Sequence, residues 1–337
     1  MKEFLIVGHG LAGSVIAHKL RALGYKVTVF DNQLPHSASN VSVGLVNPLI
    51  GPKLNAPEKI IPCLSENNNF FSSLEKIWGE KFYKPISLHR VFKSETQRKL
   101  WIKKTKDLET CDYTGNLSKS NYWREKNIFA PHGSGLTNNG YQLDVKRFLN
   151  ASNDILQSSD SWESNSFTYN DRSKNQIIIF CEGFRVIEND LFNHLPFAPA
   201  RGEVIKIQSD LKEALNNGSW HLPEDEKMAL IGSNWDHTDF SCGPTEIGKS
   251  EIFKNCSFYN FKNNRIINHL SGVRSGTIDR NPIIGEHEIE KNCYIFNGFG
   301  SRGTTTIPYY ANKLIDLFSH KKPIPREANL LRFYKNK

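Results

Sequence analysis

The chain has 337 residues, with 43 lysines and arginines against 35 aspartates and glutamates, and 38% of it is hydrophobic. That suffices for a core in one large domain or two, and no apolar run approaches the roughly 20 residues that span a bilayer. The net charge of +8 gathers partly in Arg98–Lys106 and His320–Pro323. With no RNA-binding motif beside it, solvated surface is the simplest reading of that charge.

Six cysteines, Cys63, Cys111, Cys181, Cys242, Cys256 and Cys293, include no C-x-x-C pair. This argues against a zinc site and a secreted disulfide framework, so no metal is expected. The first apolar stretch runs straight into glycines rather than a small-residue cleavage site, so it is not read as a signal peptide. A reduced, cytoplasmic protein with no membrane partner is expected.

Lys2 to Val7 reads as a buried strand, followed by Gly8, Gly10 and Gly13 in G-x-G-x-x-G spacing. Leu11, Val15, Ile16, Leu20 and Leu23 then recur at helical spacing, and Gly24 supplies a stop. Lys26 to Phe30 is a second strand ending at Asp31. The spacing makes a complete β-α-β unit. Gly8 permits a tight turn, Gly10 lets backbone approach a pyrophosphate, and Gly13 lets helix and strand pack closely. The helix N-terminus favours phosphates, and Asp31 is placed to accept from ribose hydroxyls, which argues against NADP.

FAD and NAD both remain open on that unit alone. His36 to Gly51 is a small, hydroxyl-rich segment with Gly44 and Asn47-Pro48, where an NAD dehydrogenase would continue into another helix and strand. Small side chains let a loop lie flat on a bulky planar ligand; a plain surface loop is the alternative. Strand-like patterns at His89–Ser94, Glu203–Gln208 and Met228–Asp236 fit an antiparallel sheet, interrupted by a lysine-rich helix near Glu95–Leu108. Towards the end, Tyr294–Phe296 is a short strand and Gly298, Gly300 and Gly303 form a loop. Thr304 to Thr306 are read as capping hydroxyls before a helix to about Phe318, with Pro308 in its first turn.

These features resemble the D-amino-acid-oxidase (DAO) superfamily of FAD-dependent oxidoreductases. That superfamily includes glycine and sarcosine oxidases and the oxidase half of the bifunctional tRNA wobble-uridine modification enzyme. The resemblance is carried by the N-terminal fingerprint, the 36–51 loop, Ile177–Val186, Leu195–Ile207, and above all "GVRSGTIDRNPIIGEHEIEKNCYIFNGFGSRGTTTIPYYANKLIDLF". It implies an α/β fold: a Rossmann-like FAD-binding domain with an interleaved antiparallel-sheet substrate domain. The FAD-binding domain would be discontinuous over 1–75, 140–195 and 270–337, with 76–139 and 196–269 forming the substrate-binding domain.

The resemblance implies that FAD is held by Gly8, Gly10, Leu11, Ala12, Gly13, Asp31 and Asn32, by Ser39, Val43, Gly44 and Leu45, and by Gly183. It adds Gly298, Phe299, Gly300, Ser301, Arg302, Gly303 and Thr304 from the last loop. Free N–H groups there would stabilise negative charge on a reduced flavin. In amino-acid-oxidising members the arginine of the G-x-R pattern, here Arg274, pairs with the substrate carboxylate; its planar fork suits that role. A structural ion pair with nearby Asp279 is the alternative. Arg302 is the second substrate-binding candidate.

The implied function is oxidation of a C–N bond of a small amine or amino acid by hydride transfer to flavin N5. No acid, base or nucleophile is assigned, because the protein's part is orientation and electrostatics. Two alternatives stand beside it. One is oxidation of a modified nucleoside in tRNA, suggested by the "GSRG" string and less favoured because the bifunctional enzyme's methyltransferase half has no match here. The other is a non-catalytic flavin-binding protein. His9 is read as packing or a phosphate contact, His221 and Trp220 as substrate-sheet residues, and Tyr309 and Tyr310 as pocket or core. Nothing in the sequence sets an oligomeric state.

Overall fold

The computed structural model describes residues 2–32, 36–164, 167, 173, 175–261 and 264–334. Among these, the strands form three sheets. The first contains β1 (Glu3–Val7), β2 (Lys26–Phe30), β9 (Trp162–Glu163), β10 (Ile177–Phe180), β16 (Ile283–Glu286) and β17 (Cys293–Asn297), in the order β16-β17-β10-β1-β2-β9. It is parallel except for the β16–β17 pair. β1 and β2 run in step from Glu3 opposite Lys26 to Val7 opposite Phe30.

The helices are α1 (Leu11–Ala22), α2 (Ala38–Val41), α3 (Ile60–Trp78), α4 (Glu95–Lys104), α5 (Ser120–Arg124), α6 (Val145–Ser158), α7 (Glu246–Asn255) and α8 (Gly303–His320). Residues of α1, α3, α6 and α8, among them Val15, Leu20, Phe71, Phe148 and Leu314, share one core with Phe4, Ile6, Val29 and Phe296 of the parallel sheet. Its other face buries Leu5, Val7, Ile178 and Phe180 with Phe192 and Leu330. A sheet buried on both faces explains why β1 and β10 read as continuous apolar runs rather than alternating ones. Leu23 falls outside this packing, since α1 ends at Ala22 and Leu23 is 55% exposed beside Gly24 at φ +80°.

The second sheet contains β5 (Leu88–Val91), β6 (Thr114–Ser118), β7 (Ser134–Thr137), β11 (Ala200–Gln208), β12 (Ala214–Asn216), β13 (Trp220–Pro223), β14 (Met228–Gly232) and β15 (Ile266–Arg274). Its order is β15-β11-β14-β13-β12-β5-β7-β6. It is antiparallel but for one parallel contact, β5 with β12. One face buries Val91, Leu215 and Ile231 against α7 and Trp123. The other carries Leu88, Ala214 and Leu222 towards Val43 and Leu45. The expected 269/270 boundary falls inside β15, which pairs with β11 through Arg274. A small third sheet of β3 (Leu45–Val46), β4 (Tyr83–Pro85) and β8 (Tyr141–Leu143) lies between the two.

The C-terminal helix differs from its expected start. A 3-10 turn over Gly300–Arg302 leads directly into α8, so Thr304 to Thr306 lie inside the helix and no side chain caps it. Pro308 therefore sits beyond the first turn, where its missing N–H strands the carbonyl four residues back. Buried Asn67 of α3 answers this: its Nδ2 donates to the Thr304 carbonyl at 3.1 Å and to that of Thr305 at 3.2 Å.

Candidate functional site

The strand order of the parallel sheet switches at β1, with β2 added on one side and β10 on the other. The carboxyl ends of such strands, at the switch point, are where an open α/β sheet leaves a crevice. A cavity of about 1190 Å³ opens there. It reaches from the turns after β1, β2 and β10 to the loop after β17 and the face of the second sheet.

Gly8, at φ +100°, makes the turn after β1, and a Cβ there would stand 2.6 Å from the Cys181 carbonyl oxygen. A Cβ on Gly10 would stand 3.0 Å from Ser39 Oγ, which itself accepts the Leu11 N–H at 2.9 Å. A side chain on Gly13 would overlap the Gly8 carbonyl, so this glycine serves helix–strand packing. The Asp31 carboxylate accepts the His9 amide, which fixes it beside the loop. The His9 ring turns the other way: Nε2 meets Ser152 Oγ at 2.8 Å, the ring abuts Trp162, and burial pushes its pKa down to about 4. It is a neutral packing residue.

The cavity is lined by Gly8, Gly10, Leu11, Ala12, Asp31, Asn32, Ser39, Val43, Gly44, Leu45, Gly183, Phe299, Gly300, Ser301, Arg302, Gly303, Thr304 and Arg274. Gly13 and Gly298 are set behind its wall; Gly298, at φ +80°, packs against Thr277. Of the other candidates, Trp220 lines the cavity. His221 is fully buried, bonded to Ser209 Oγ and the Glu213 carbonyl. Tyr310 donates to Glu327, and Tyr309 packs edge-on against Tyr310.

Arg274 ends β15 with its guanidinium over Gly202 of β11, where any Cβ would overlap it. Nη2 donates to Ser233 Oγ at 2.9 Å, and the guanidinium stacks 4.4 Å from the Trp235 ring centroid. Burial lowers its pKa to about 10. Asp279 pairs instead with Arg332, at 2.8 Å. Among the described residues no carboxylate lies within ion-pair distance of Arg274. Arg302 is tethered at 2.9 Å to the Arg280 carbonyl, between the main cavity and a neighbouring one of about 260 Å³.

Glu182, Trp235, Arg90 and Lys93, which no sequence motif marks, also line the cavity. Burial is the largest influence on Glu182 and pushes its carboxyl up to about 7, against a 2.7 Å hydrogen bond from Asn189. Its place beside Gly183, two residues past a buried strand end, was the one available signal. The other three come from strands and loops whose alignment only the sheet reveals.

A glycine cradle at each end, an acid at the β2 terminus and an elongated cavity fit a dinucleotide carrying a second ring system. The family model for FAD dependent oxidoreductases (DAO) matches residues 163–317, and a model for NAD(P)-binding Rossmann-like domains matches residues 6–38. Over residues 163–317, a little under half of its length, the chain is therefore similar to the DAO superfamily of FAD-dependent oxidoreductases. FAD is accordingly the cofactor.

The solved structures it resembles share the fold at low identity. Glycine oxidase from Geobacillus kaustophilus has a TM-score of 0.79 at 14% identity, covering 97% of this chain and 99% of that one. Iminodiacetate oxidase from Chelativorans sp. BNC1 has a TM-score of 0.78 at 17% identity, covering 96% and 98%. Among curated proteins, the tRNA 5-methylaminomethyl-2-thiouridine biosynthesis bifunctional protein MnmC of Campylobacter jejuni subsp. doylei is 24% identical over 310 residues, and that of Legionella pneumophila 24% over 376. These matches take in 84% and 96% of this chain but only 46% and 55% of the relatives, so the chain spans about half their length. Among the described residues, no helix is long and apolar enough to cross a membrane, and no cluster suited to a metal ion occurs.

Proposed function

We propose that this protein oxidises a C–N bond of a small amine or amino acid that carries a carboxylate. The observation that carries the reading is Arg274, a half-buried guanidinium on the cofactor cavity without a carboxylate partner among the described residues. An uncompensated cation is costly to bury, and a ligand carboxylate would offset that cost with two parallel charge-assisted bonds. Bound FAD supplies the hydride acceptor.

The chain's own residues bind and orient. Ser233 holds one edge of the Arg274 fork, Trp235 covers its face, and Gly202 leaves the space in which it lies. Gly8, Gly10, Asp31, Ser39 and the 298–304 loop would hold the cofactor, and the 298–304 loop would also present backbone N–H groups where negative charge develops. Arg302 is the second substrate contact we assign. The described cysteines are all free, which supports a reduced, cytoplasmic setting.

The first experiment is anaerobic addition of glycine, sarcosine, proline and D-amino acids to the yellow protein, followed by visible absorbance. Bleaching by one of them supports the reading and names the substrate class; a flavin that none of these or other carboxylated amines reduces overturns it. Arg274→Gln should then raise KM about 100-fold, the loss of roughly 3 kcal/mol of charge-assisted binding, with flavin content unchanged. An unchanged KM would remove the carboxylate role.

A second reading, oxidation of a modified nucleoside in tRNA, is favoured by one feature. Helix α4 presents Lys99 and Lys103 to solvent, and its Gln97 lines the cavity. Phosphate contacts made there would give tRNA binding that weakens steeply with salt; salt-insensitive or absent binding discards this reading.

A further inference from the structure

The cavity holds a second cation, and this one is buried in the fold's interior. Arg90 of β5 is 7% exposed and lies on the same face of the sheet as Leu88, towards the cofactor loop. Nη1 donates to Asn216 Oδ1 at 3.1 Å and Nη2 reaches the Gly51 carbonyl at 3.5 Å, while Nε is buried with no partner. Among the described residues no carboxylate stands within ion-pair distance of it. Lys93 lines the same end of the cavity, with its Nζ 3.6 Å from where a Gly218 Cβ would lie, and it too is unpaired among the described residues. Asn217, 4% exposed, has a side-chain oxygen without a partner.

Sheet register sets the separation of the two cations. Arg90 aligns with Asn216, Asn216 with Trp220, and Trp220 with Gly232, beside the Ser233 that anchors Arg274. Three strand steps are about 14 Å. Because Arg90 reaches sideways to Asn216, the guanidinium groups stand roughly 10–14 Å apart, with Trp220 between them.

We infer that the substrate carries a second oxyanion, a carboxylate or phosphate, on the side of the amine away from its Arg274-bound carboxylate, and that Arg90 and Lys93 receive it. The inference rests on the amine-oxidation reading for what is done to that substrate, and on geometry for where it binds. A merely structural Arg90 would spend its donors on the protein; this one leaves Nε unused beside an unpaired lysine and turns towards a cavity. A small mono-acid held at Arg274 alone cannot reach Arg90, so the site selects for length as well as charge.

The test uses the FAD-loaded full chain, calorimetric titration, and α,ω-dicarboxylates from malonate to suberate beside monocarboxylates of equal length. ω-Phosphonocarboxylates run in parallel. Affinity should rise with span until a diacid or phosphono-acid binds at least tenfold tighter than its monocarboxylate. Arg90→Gln with Lys93→Gln should abolish that preference while leaving acetate binding, flavin content and thermal midpoint unchanged. Arg90→Lys should keep part of it. Whichever oxyanion binds tighter names the class the site takes.

The proposal is overturned if diacids bind no better than mono-acids, if the variant weakens both alike, or if it loses flavin, which would make Arg90 a cofactor residue. Failure of every amine to bleach the flavin would overturn the oxidation reading instead and would leave these binding curves unaltered.

Discussion

Glu182 shows how one side chain sets a pH dependence. Its folded-state pKa of about 7 lies above the ordinary 4.5, chiefly because of burial, with Glu188 adding to the rise and Asn189 and Arg185 opposing it. Between those two values the unfolded chain gives up a proton that the folded chain keeps, so stability falls as pH rises through this window. Glu182→Gln removes that loss. Its thermal midpoint should match the parent near pH 4.5 and exceed it at pH 8; parallel midpoint–pH curves would dismiss Glu182 as a titrating group. The location of such residues is hard to read from sequence. "FCEGF" marks a strand end, but only the approach of Glu182 to the β1 turn, where its Cα lies 3.3 Å from a Cβ placed on Gly8, buries the carboxylate.

At the scale of elements, α8 contains a proline that its neighbour accommodates. Asn67→Ala would leave the Thr304 carbonyl buried beside Pro308 without a donor, at a cost of about 1–3 kcal/mol. Chemical denaturation should register this as a lower midpoint with an unchanged slope; no change would mean that water or a shifted helix turn replaces the amide. The β-α-β unit of β1, α1 and β2 was legible almost entirely, because its glycine spacing, apolar periodicity and terminal acid all act within 30 residues. The start of α8 was not. Its threonines carry the chemistry of caps, but the preceding 3-10 turn continues smoothly into the helix and absorbs them.

For the whole molecule, the cofactor loop and the second sheet are already in contact. Ser37 bridges to Val273 of β15, and a Cβ on Gly272 would stand 3.2 Å from Ala38 Cα. A cofactor lying between them would tie the sheets into one unit. At FAD concentrations 100 times the Kd, binding should add about 2.7 kcal/mol of stability and raise a single calorimetric transition. Two transitions, with only one moved by FAD, would show that the sheets unfold independently.

What the sequence determined by itself was local: the dinucleotide turn, the acid after β2, the C-terminal glycine loop and the arginine of the G-x-R pattern. Each depends on residues close together in the chain, where spacing translates directly into geometry. What the tertiary structure decided was which distant groups share the cavity. Arg90 and Asn216 are 126 residues apart and meet because β5 and β12 pair in one register. Trp235 comes to lie against Arg274 because β15 and β14 flank the same strand, β11. Strand order and register are settled by packing both faces of the sheet at once, and that long-range constraint leaves little trace in any short stretch of sequence.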